Sequence, residues 1–281
     1  MLDCKVAKGN AKMKYYVVAD VHGFYDLMVK ALTEQGYFMD VAPHKLIICG
    51  DLFDRGKQSK ELLEFVLGLL KKDEVILIRG NHEDLLVDFV EKLPMYAEMG
   101  FQYTHHYSNG TVHTVRDLTR STLTKMSMYP EATAAGIKRS ELFKTVLPAM
   151  KNYYETKNYI FVHGWIPSIA NGVGGNASFF QFNPEWRNDD AAGWYFARWY
   201  NGMLAAHQGV IEPGKTIVCG HWHTSFGHSR YEGKGAEFGD GEDFSPYYAE
   251  GIIALDACTG HSKMVNCIVL EDDDLPNTNE T

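Results

Sequence analysis

No run of apolar residues in this chain approaches the ~18 needed to span a bilayer. The N-terminus lacks the charged, then apolar, then small-residue succession of a secretory leader. Cysteine is scarce: five residues, at 4, 49, 219, 258 and 267, with no Cys-x-x-Cys pair. Four of them lie in or beside apolar strand-like runs, which reads as buried, reduced thiols in a cytoplasmic protein. Positive charge is also short. Lys and Arg number 27 against 36 Asp and Glu, for a net charge of −9. That excludes a general nucleic-acid or anionic-membrane binder, because both need a basic face. It leaves room for a small phosphate substrate, since bound cations can invert the local field. There is no internal repeat and no linker that divides the chain.

What is present is a chain of 281 residues, 45% hydrophobic, long enough to bury a core without disulfides. Through residue 95, short apolar runs alternate with helical patterns. Residues 15–19, 46–49 and 75–78 read as buried strands. Residues 25–35 read as a helix closed by Gly36, and 58–72 as a helix with Leu62, Phe65, Val66, Leu69 and Leu70 on one face. Residues 83–93 read as a helix stopped by Pro94. This alternation predicts a parallel sheet with helical cover. Residues 95–157 read as a helical insertion, 190–208 as one helix, and 159–162, 216–219, 251–255 and 264–270 as further strands. A glycine-rich acidic loop occupies 231–244, and 272–281 reads as a solvated acidic tail. The whole of 1–281 is expected to form one domain.

The polar residues fall where strands end. The first strand runs into Asp20-Val21-His22-Gly23, the second into Gly50-Asp51-Leu52-Phe53-Asp54-Arg55-Gly56, and the third into Gly80-Asn81-His82-Glu83. Later strands run into His163-Gly164 and Gly220-His221-Trp222-His223. In open α/β sheets that edge is where ligands bind. Two carboxylates, an amide and several imidazoles would converge there, a mixed oxygen and nitrogen set that suits manganese, iron or zinc better than magnesium or calcium. Singly, each motif is weak. An Asp-x-His can be a turn, and Gly-Asn-His-Glu can be a helix start with Asn81 as its cap. Five of them, each directly after a strand, make a site. Gly209-Val210-Ile211-Glu212-Pro213-Gly214-Lys215-Thr216 fits a phosphate-binding P-loop by spelling, but a helix precedes it and a strand follows, the reverse of what that loop requires.

The chain resembles the phosphoprotein phosphatase family of the calcineurin-like metallophosphoesterases, in its bacterial and phage branch. The residues that carry the likeness are Ala19-Asp20-Val21-His22-Gly23, Gly50 to Gly56, Gly80 to Glu83, and the later His163 and His221. Ala19 departs from the family's glycine. The resemblance implies a mixed α+β/α/β fold, a four-layer αββα sandwich of central mixed sheets flanked by helices. It implies two divalent ions, manganese first, with iron or zinc as alternatives. Asp20 and His22 would hold one ion, Asp51 would bridge, and Asn81, His163 and His221 would hold the other. His223 is a candidate seventh ligand or a hydrogen-bond partner. His82 would be the general acid, oriented by Asp54. Arg55 would grip phosphate, with Arg198 as the second arginine and Arg187 and Arg230 as other candidates. Asn81 would also face the substrate.

The activity implied is a phosphomonoester hydrolase of the protein serine/threonine phosphatase kind. A metal-activated hydroxide would attack in line on a phosphorylated protein, a phosphopeptide or a small phosphoester. The alternative is a pyrophosphohydrolase resembling diadenosine tetraphosphate hydrolases, to which Asp256 in Ala254-Leu255-Asp256-Ala257-Cys258-Thr259-Gly260 bears a likeness. A non-catalytic metal-binding module is the distant third. The remaining histidines, 105, 106, 113, 207, 228 and 261, match no motif, with His228 the nearest exception.

Overall fold

Neighbouring residues of the apolar runs face opposite ways, and both ways are buried. In the computed structural model, which describes residues 12–172 and 174–273, the strands are β1 (Met13–Val18), β2 (His44–Cys49), β3 (Val75–Ile78), β4 (Tyr154–Glu155), β5 (Tyr159–Phe161), β6 (Ile169–Ala170), β7 (Phe180–Gln181), β8 (Thr216–Cys219), β9 (Tyr247–Ala249), β10 (Ile252–Ala254) and β11 (Cys267–Asp272). They form one sheet in the order β11-β1-β2-β3, a second in the order β4-β5-β8-β10-β9, and the small pair β6-β7. Within the first sheet β1, β2 and β3 are parallel and β11 is antiparallel. Within the second, β5, β8 and β10 are parallel, and β4 and β9 are antiparallel edges.

The period-2 alternation of each strand decides which layer a residue enters. Tyr15, Val17, Ile47, Cys49, Ile76 and Ile78 pack against Phe161, Val218, Ile253 and Leu255 of the other sheet. Tyr16, Val18, Leu46, Ile48, Val75 and Leu77 face away, toward helices. Those helices are α1 (Tyr25–Glu34), α2 (Ser59–Leu70) and α3 (Asn81–Glu91), backed by α4 (Leu93–Met99), α5 (His105–Asn109), α6 (Thr111–Thr119), α7 (Leu123–Met128), α8 (Pro130–Lys138), a π-helical stretch Leu142–Val146 and α9 (Leu147–Ala149). The outer face of the second sheet, including Ile160, Ile217 and Ile252, is covered by α10 (Ala191–Ala197), α11 (Gly202–His207) and the buried Trp165 and Trp186. Two short helices, α12 (Thr224–Glu232) and α13 (Thr259–Ser262), complete the chain. Helices, sheet, sheet, helices make the four layers of an αββα sandwich.

Several boundaries differ from expectation. Pro94 stands in the first turn of α4, where its missing N–H costs nothing, so a second helix follows directly. The helical segment ends at Ala149, and Tyr154–Glu155 already belongs to the second sheet. The single helix expected over 190–208 is two. Asp190 caps α10 by accepting from the backbone N–H of Ala192 and Gly193, and Asn201 caps α11 by accepting from Leu204 N–H. Asp272 is no part of a tail: it ends β11 fully buried, accepting from Thr156 Oγ1 and from Asn158. Residues 274–281 and Cys4 lie outside the described residues. Cys49, Cys219 and Cys267 are buried free thiols and Cys258 is partly exposed. Among the described residues no helix is long and apolar enough to cross a membrane.

Candidate active site

The chain turns abruptly after β1, β2 and β8, and those turns contain left-handed residues. Asp20, His22, Asp51, Asp54, Arg55 and His221 all have positive φ, between 49° and 73°. Such angles cost about 1–3 kcal/mol each for non-glycine residues and persist where surrounding contacts over-determine them. The neighbouring glycines permit close approach. A Cβ on Gly80 would sit 2.1 Å from Asp51 Oδ1, and one on Gly220 would sit 2.0 Å from Asp20 Oδ2. Ala19 is not among the left-handed residues, so its methyl group brings no strain at that position.

Asp51 is the hub. Its Oδ2 lies 3.6 Å from His22 Nε2, and its Oδ1 lies 3.3 Å from His163 Nε2 while accepting from His82 N–H at 3.0 Å. Two sets of donor atoms are close enough to share one ion each, and Asp51 is in both: His22, Asp51 and His82, and Asp51, His163 and His221. The imidazoles are aimed from behind. His22 Nδ1 donates to the Phe53 carbonyl at 3.0 Å and His163 Nδ1 to the Cys49 carbonyl at 2.8 Å. A carbonyl can only accept, so these nitrogens carry the ring protons and leave the Nε2 lone pairs facing inward. In the neutral ring the His163 Nε2 lone pair faces Asn81 Oδ1 at 2.8 Å and Asp51 Oδ1 at 3.3 Å, so that three donor atoms converge. A divalent cation fits this set, and the residues that could hold it are Asp51, Asn81, His163 and His221.

His82 stands apart from the other imidazoles by its partners. Its Nδ1 donates to Asp54 Oδ2 at 2.8 Å and its Nε2 lies 3.3 Å from Arg55 Nη2. Burial works against its charge, but Asp51 and Asp54 outweigh it and raise the pKa. Burial and neighbouring cationic groups push His22 well below its ordinary range, and burial with the facing His163 lowers His221 to about 3. Burial thus opposes charge on His22 and His221, whereas the carboxylates around His82 favour its charged form. Asp51, despite burial, is held ionised by the imidazoles around it. Burial and the adjacent carboxylates of Asp256 and Asp51 push Asp20 well above the carboxylate range. A cluster of buried acids of this kind calls for positive charge.

Not every expected residue joins the cluster. Asp20 Oδ2 accepts from His221 N–H at 2.9 Å, and Asp20 belongs to neither set of donor atoms. His223 lies outside both sets as well: its Nε2 pairs with Glu237 Oε1 at 2.8 Å, from the acidic loop, so it is a hydrogen-bond partner here. Arg198 is largely buried and committed, with Nε on Asp84 Oδ2 at 2.6 Å and Nη1 on Asn152 Oδ1 at 3.1 Å. Arg187 bridges Glu155 and Glu212. Arg230 lies over the rings of Phe226 and Tyr231. Lys215 of the P-loop-like segment pairs with Glu155 at 3.0 Å. His228 is held by Glu232 and the Ser245 carbonyl.

Other residues serve the site without having been singled out. Glu83 accepts from the backbone N–H of Gly80, Asp51 and Leu52 at 2.8–3.1 Å, tying the turn after β2 to the start of α3. Thr111 and Thr114 of α6 hold Asp54. A third possible ligand set, Asp88, His105 and His106, lies on α3 and α5. There Asp88 is already engaged by Lys92 and Tyr96.

Residues 13–225 match the sequence profile of the calcineurin-like phosphoesterases. Among curated proteins, the asymmetrical bis(5'-nucleosyl)-tetraphosphatase PrpE of Bacillus subtilis is 34% identical over 98 residues, 33% of this chain and 40% of that one. Serine/threonine-protein phosphatase 1 of Salmonella typhimurium is 36% identical over 73 residues, 26% of this chain and 31% of that one. The matches thus span well under half the length of either relative. Among solved structures, a cold-active protein tyrosine phosphatase superposes with a TM-score of 0.52 at 17% identity, over 93% of this chain and 74% of that one; that likeness concerns the fold.

Proposed function

The chain belongs to the calcineurin-like phosphoesterase family, and on that footing we propose that it is a two-metal hydrolase of dinucleoside polyphosphates, with phosphorylated proteins as the second reading. The observation that carries the two-metal part is Asp51, whose two oxygens face separate groups of imidazoles. Asp20, His22 and Asp51 would hold one ion, and Asp51, Asn81, His163 and His221 the other. The first donor set contains His82 in place of Asp20, but its Nδ1 is committed to Asp54 and its Nε2 stands 3.3 Å from the Arg55 guanidinium, a cation that opposes a metal ion there. The mixed donor set favours manganese, iron or zinc. When bound, the ions neutralise charge on the phosphoryl oxygens and make hydroxide available at neutral pH.

The protein's own groups do the rest. Arg55, 3.3 Å from His82 Nε2, grips phosphate with its planar fork. His82 gives its Nε2 proton to the leaving oxygen, and Asp54 keeps the ring oriented and stabilises its charge.

The order of substrates reverses the expectation drawn from the sequence alone. Proteins named as bis(5'-nucleosyl)-tetraphosphatases stand on more of the relatives' side than protein phosphatases do. Asp256 adds to this, buried beyond the end of β10 and close enough to Asp20 to repel it. Serine/threonine-protein phosphatase 1 supports the second reading. The test is a substrate panel on manganese-loaded protein: diadenosine tetraphosphate, a phosphoserine peptide and para-nitrophenyl phosphate. A higher kcat/KM on the dinucleotide is expected. A higher value on the peptide selects the second reading, and metal binding without turnover of any of the three leaves only a binding module.

A further inference from the structure

Asp54 is completely buried and accepts three side-chain hydrogen bonds. One comes from His82. The other two come from α6: Thr111 Oγ1 reaches Asp54 Oδ2 at 2.8 Å and Thr114 Oγ1 reaches Asp54 Oδ1 at 2.8 Å. Both hydroxyls are themselves buried, so water does not compete for them. Asp54 N–H in turn donates to Thr114 Oγ1 at 3.0 Å, which commits that hydroxyl proton to the carboxylate. The two threonines stand three residues apart, on one helix face, and α6 is anchored by buried Val112 and Val115. At the helix start, Gly110 comes so near the Asp54–Arg55 turn that a Cβ on it would lie 2.2 Å from Arg55 N.

We propose that Thr111 and Thr114 are positioning residues for the His82 acid, so that the helical segment between β3 and β4 completes the catalytic apparatus rather than merely covering the sheet. The inference rests on the general-acid reading of His82. Two hydroxyl donors fix both oxygens of Asp54, and the fixed carboxylate sets the plane of the imidazole. As the P–O bond breaks, the proton passes from Nε2 to the leaving oxygen while Nδ1 keeps its proton on Asp54. Without the threonines Asp54 retains one side-chain donor of three, its carboxyl group turns, and the imidazole loses its aim.

The readout is dependence on the leaving group. Para-nitrophenolate leaves readily without a proton, whereas phenolate needs one. Thr111→Val and Thr114→Val keep shape and remove the donor. Each is expected to lower kcat on phenyl phosphate by about tenfold or more, within the range general-acid catalysis supplies, and to change kcat on para-nitrophenyl phosphate by less than about threefold, with KM and manganese content preserved. Thr111→Ser and Thr114→Ser restore the hydroxyl and are expected to recover turnover. His82→Asn is the reference. If His82→Asn discriminates between the two esters and the valine variants do not, the positioning role is wrong while the acid stands. If His82→Asn itself fails to discriminate, both fall. Equal losses on both esters that serine does not repair mean a structural role alone. A thermal unfolding scan accompanies each variant; should Thr114→Val not fold, Thr111→Val with its serine counterpart decides the matter.

Discussion

Asn81 Oδ1 lies 2.8 Å from His163 Nε2, although the proton of that ring points the other way, to the Cys49 carbonyl. With its Nδ1 proton on that carbonyl, the neutral ring presents its Nε2 lone pair beside the amide oxygen, a pair of donors that one divalent cation can join. His163→Gln is therefore expected to lower bound manganese from about two ions per chain to about one, and to abolish turnover. Metal analysis by mass spectrometry checks this; an unchanged stoichiometry would remove His163 from the ligand set.

His82 has the opposite profile: a carboxylate behind it and a raised pKa. His82→Asn is expected to cut kcat by about 10²–10⁴-fold and to leave the metal content as it was. Loss of an ion along with activity would make His82 a ligand, as its place in the first donor set would allow.

Asp20 and Asp51 after β1 and β2 of one sheet and Asp256 after β10 of the other are buried together, near enough for Asp256 and Asp51 to raise the pKa of Asp20. Removing metal should therefore lower stability as well as activity. An ion at a hundred times its dissociation constant adds about 2.7 kcal/mol to a native state that alone binds it. Chelator is expected to lower Tm in the wild type and to have a much smaller effect on Asp51→Asn. Manganese should restore activity better than magnesium. A chelator-insensitive Tm, or full recovery with magnesium alone, would contradict the mixed-ligand site.

Away from the site, Glu155 on β4 receives Arg187 at 2.6 Å and Lys215 at 3.0 Å. Burial alone would raise its pKa, but the two cations outweigh burial and hold it below the ordinary 4.5. A depressed carboxylate contributes stability that is fully present above the unfolded value and is lost as pH falls through the folded one. Glu155→Gln is thus expected to cost about 1–3 kcal/mol near neutrality, with the difference from wild type closing below the usual glutamate range. Urea unfolding at several pH values measures it; a difference independent of pH would mean that charge is not what Glu155 contributes.

The strand-end residues were legible because each follows a run of apolar residues buried on both faces, and a chain leaving a parallel strand delivers its next polar side chain to one edge. Asp20, Asp51 and Asn81 come to that edge of the first sheet, and His163 and His221 to the matching edge of the second. Thr111 and Thr114 follow no strand, and their partner Asp54 is 57 and 60 residues away along the chain, so no local pattern marks them. His223 shares the spacing of a ligand but is claimed by Glu237, fourteen residues on, from a loop whose path the sequence does not reveal. The break between α10 and α11 turns on Asn201 acting as a cap inside an otherwise helical run of aromatics and alanines. Capping depends on one backbone angle, which periodicity does not encode.

The most direct test of the central claim is anomalous diffraction at the manganese edge from crystals grown with that metal. Two peaks about 3.5–4 Å apart, one on each side of the Asp51 carboxylate, are expected, with His22 against one and Asn81, His163 and His221 against the other. A single peak, or density only beside Asp88, His105 and His106, would contradict the bridging role of Asp51 and the mechanism built on it.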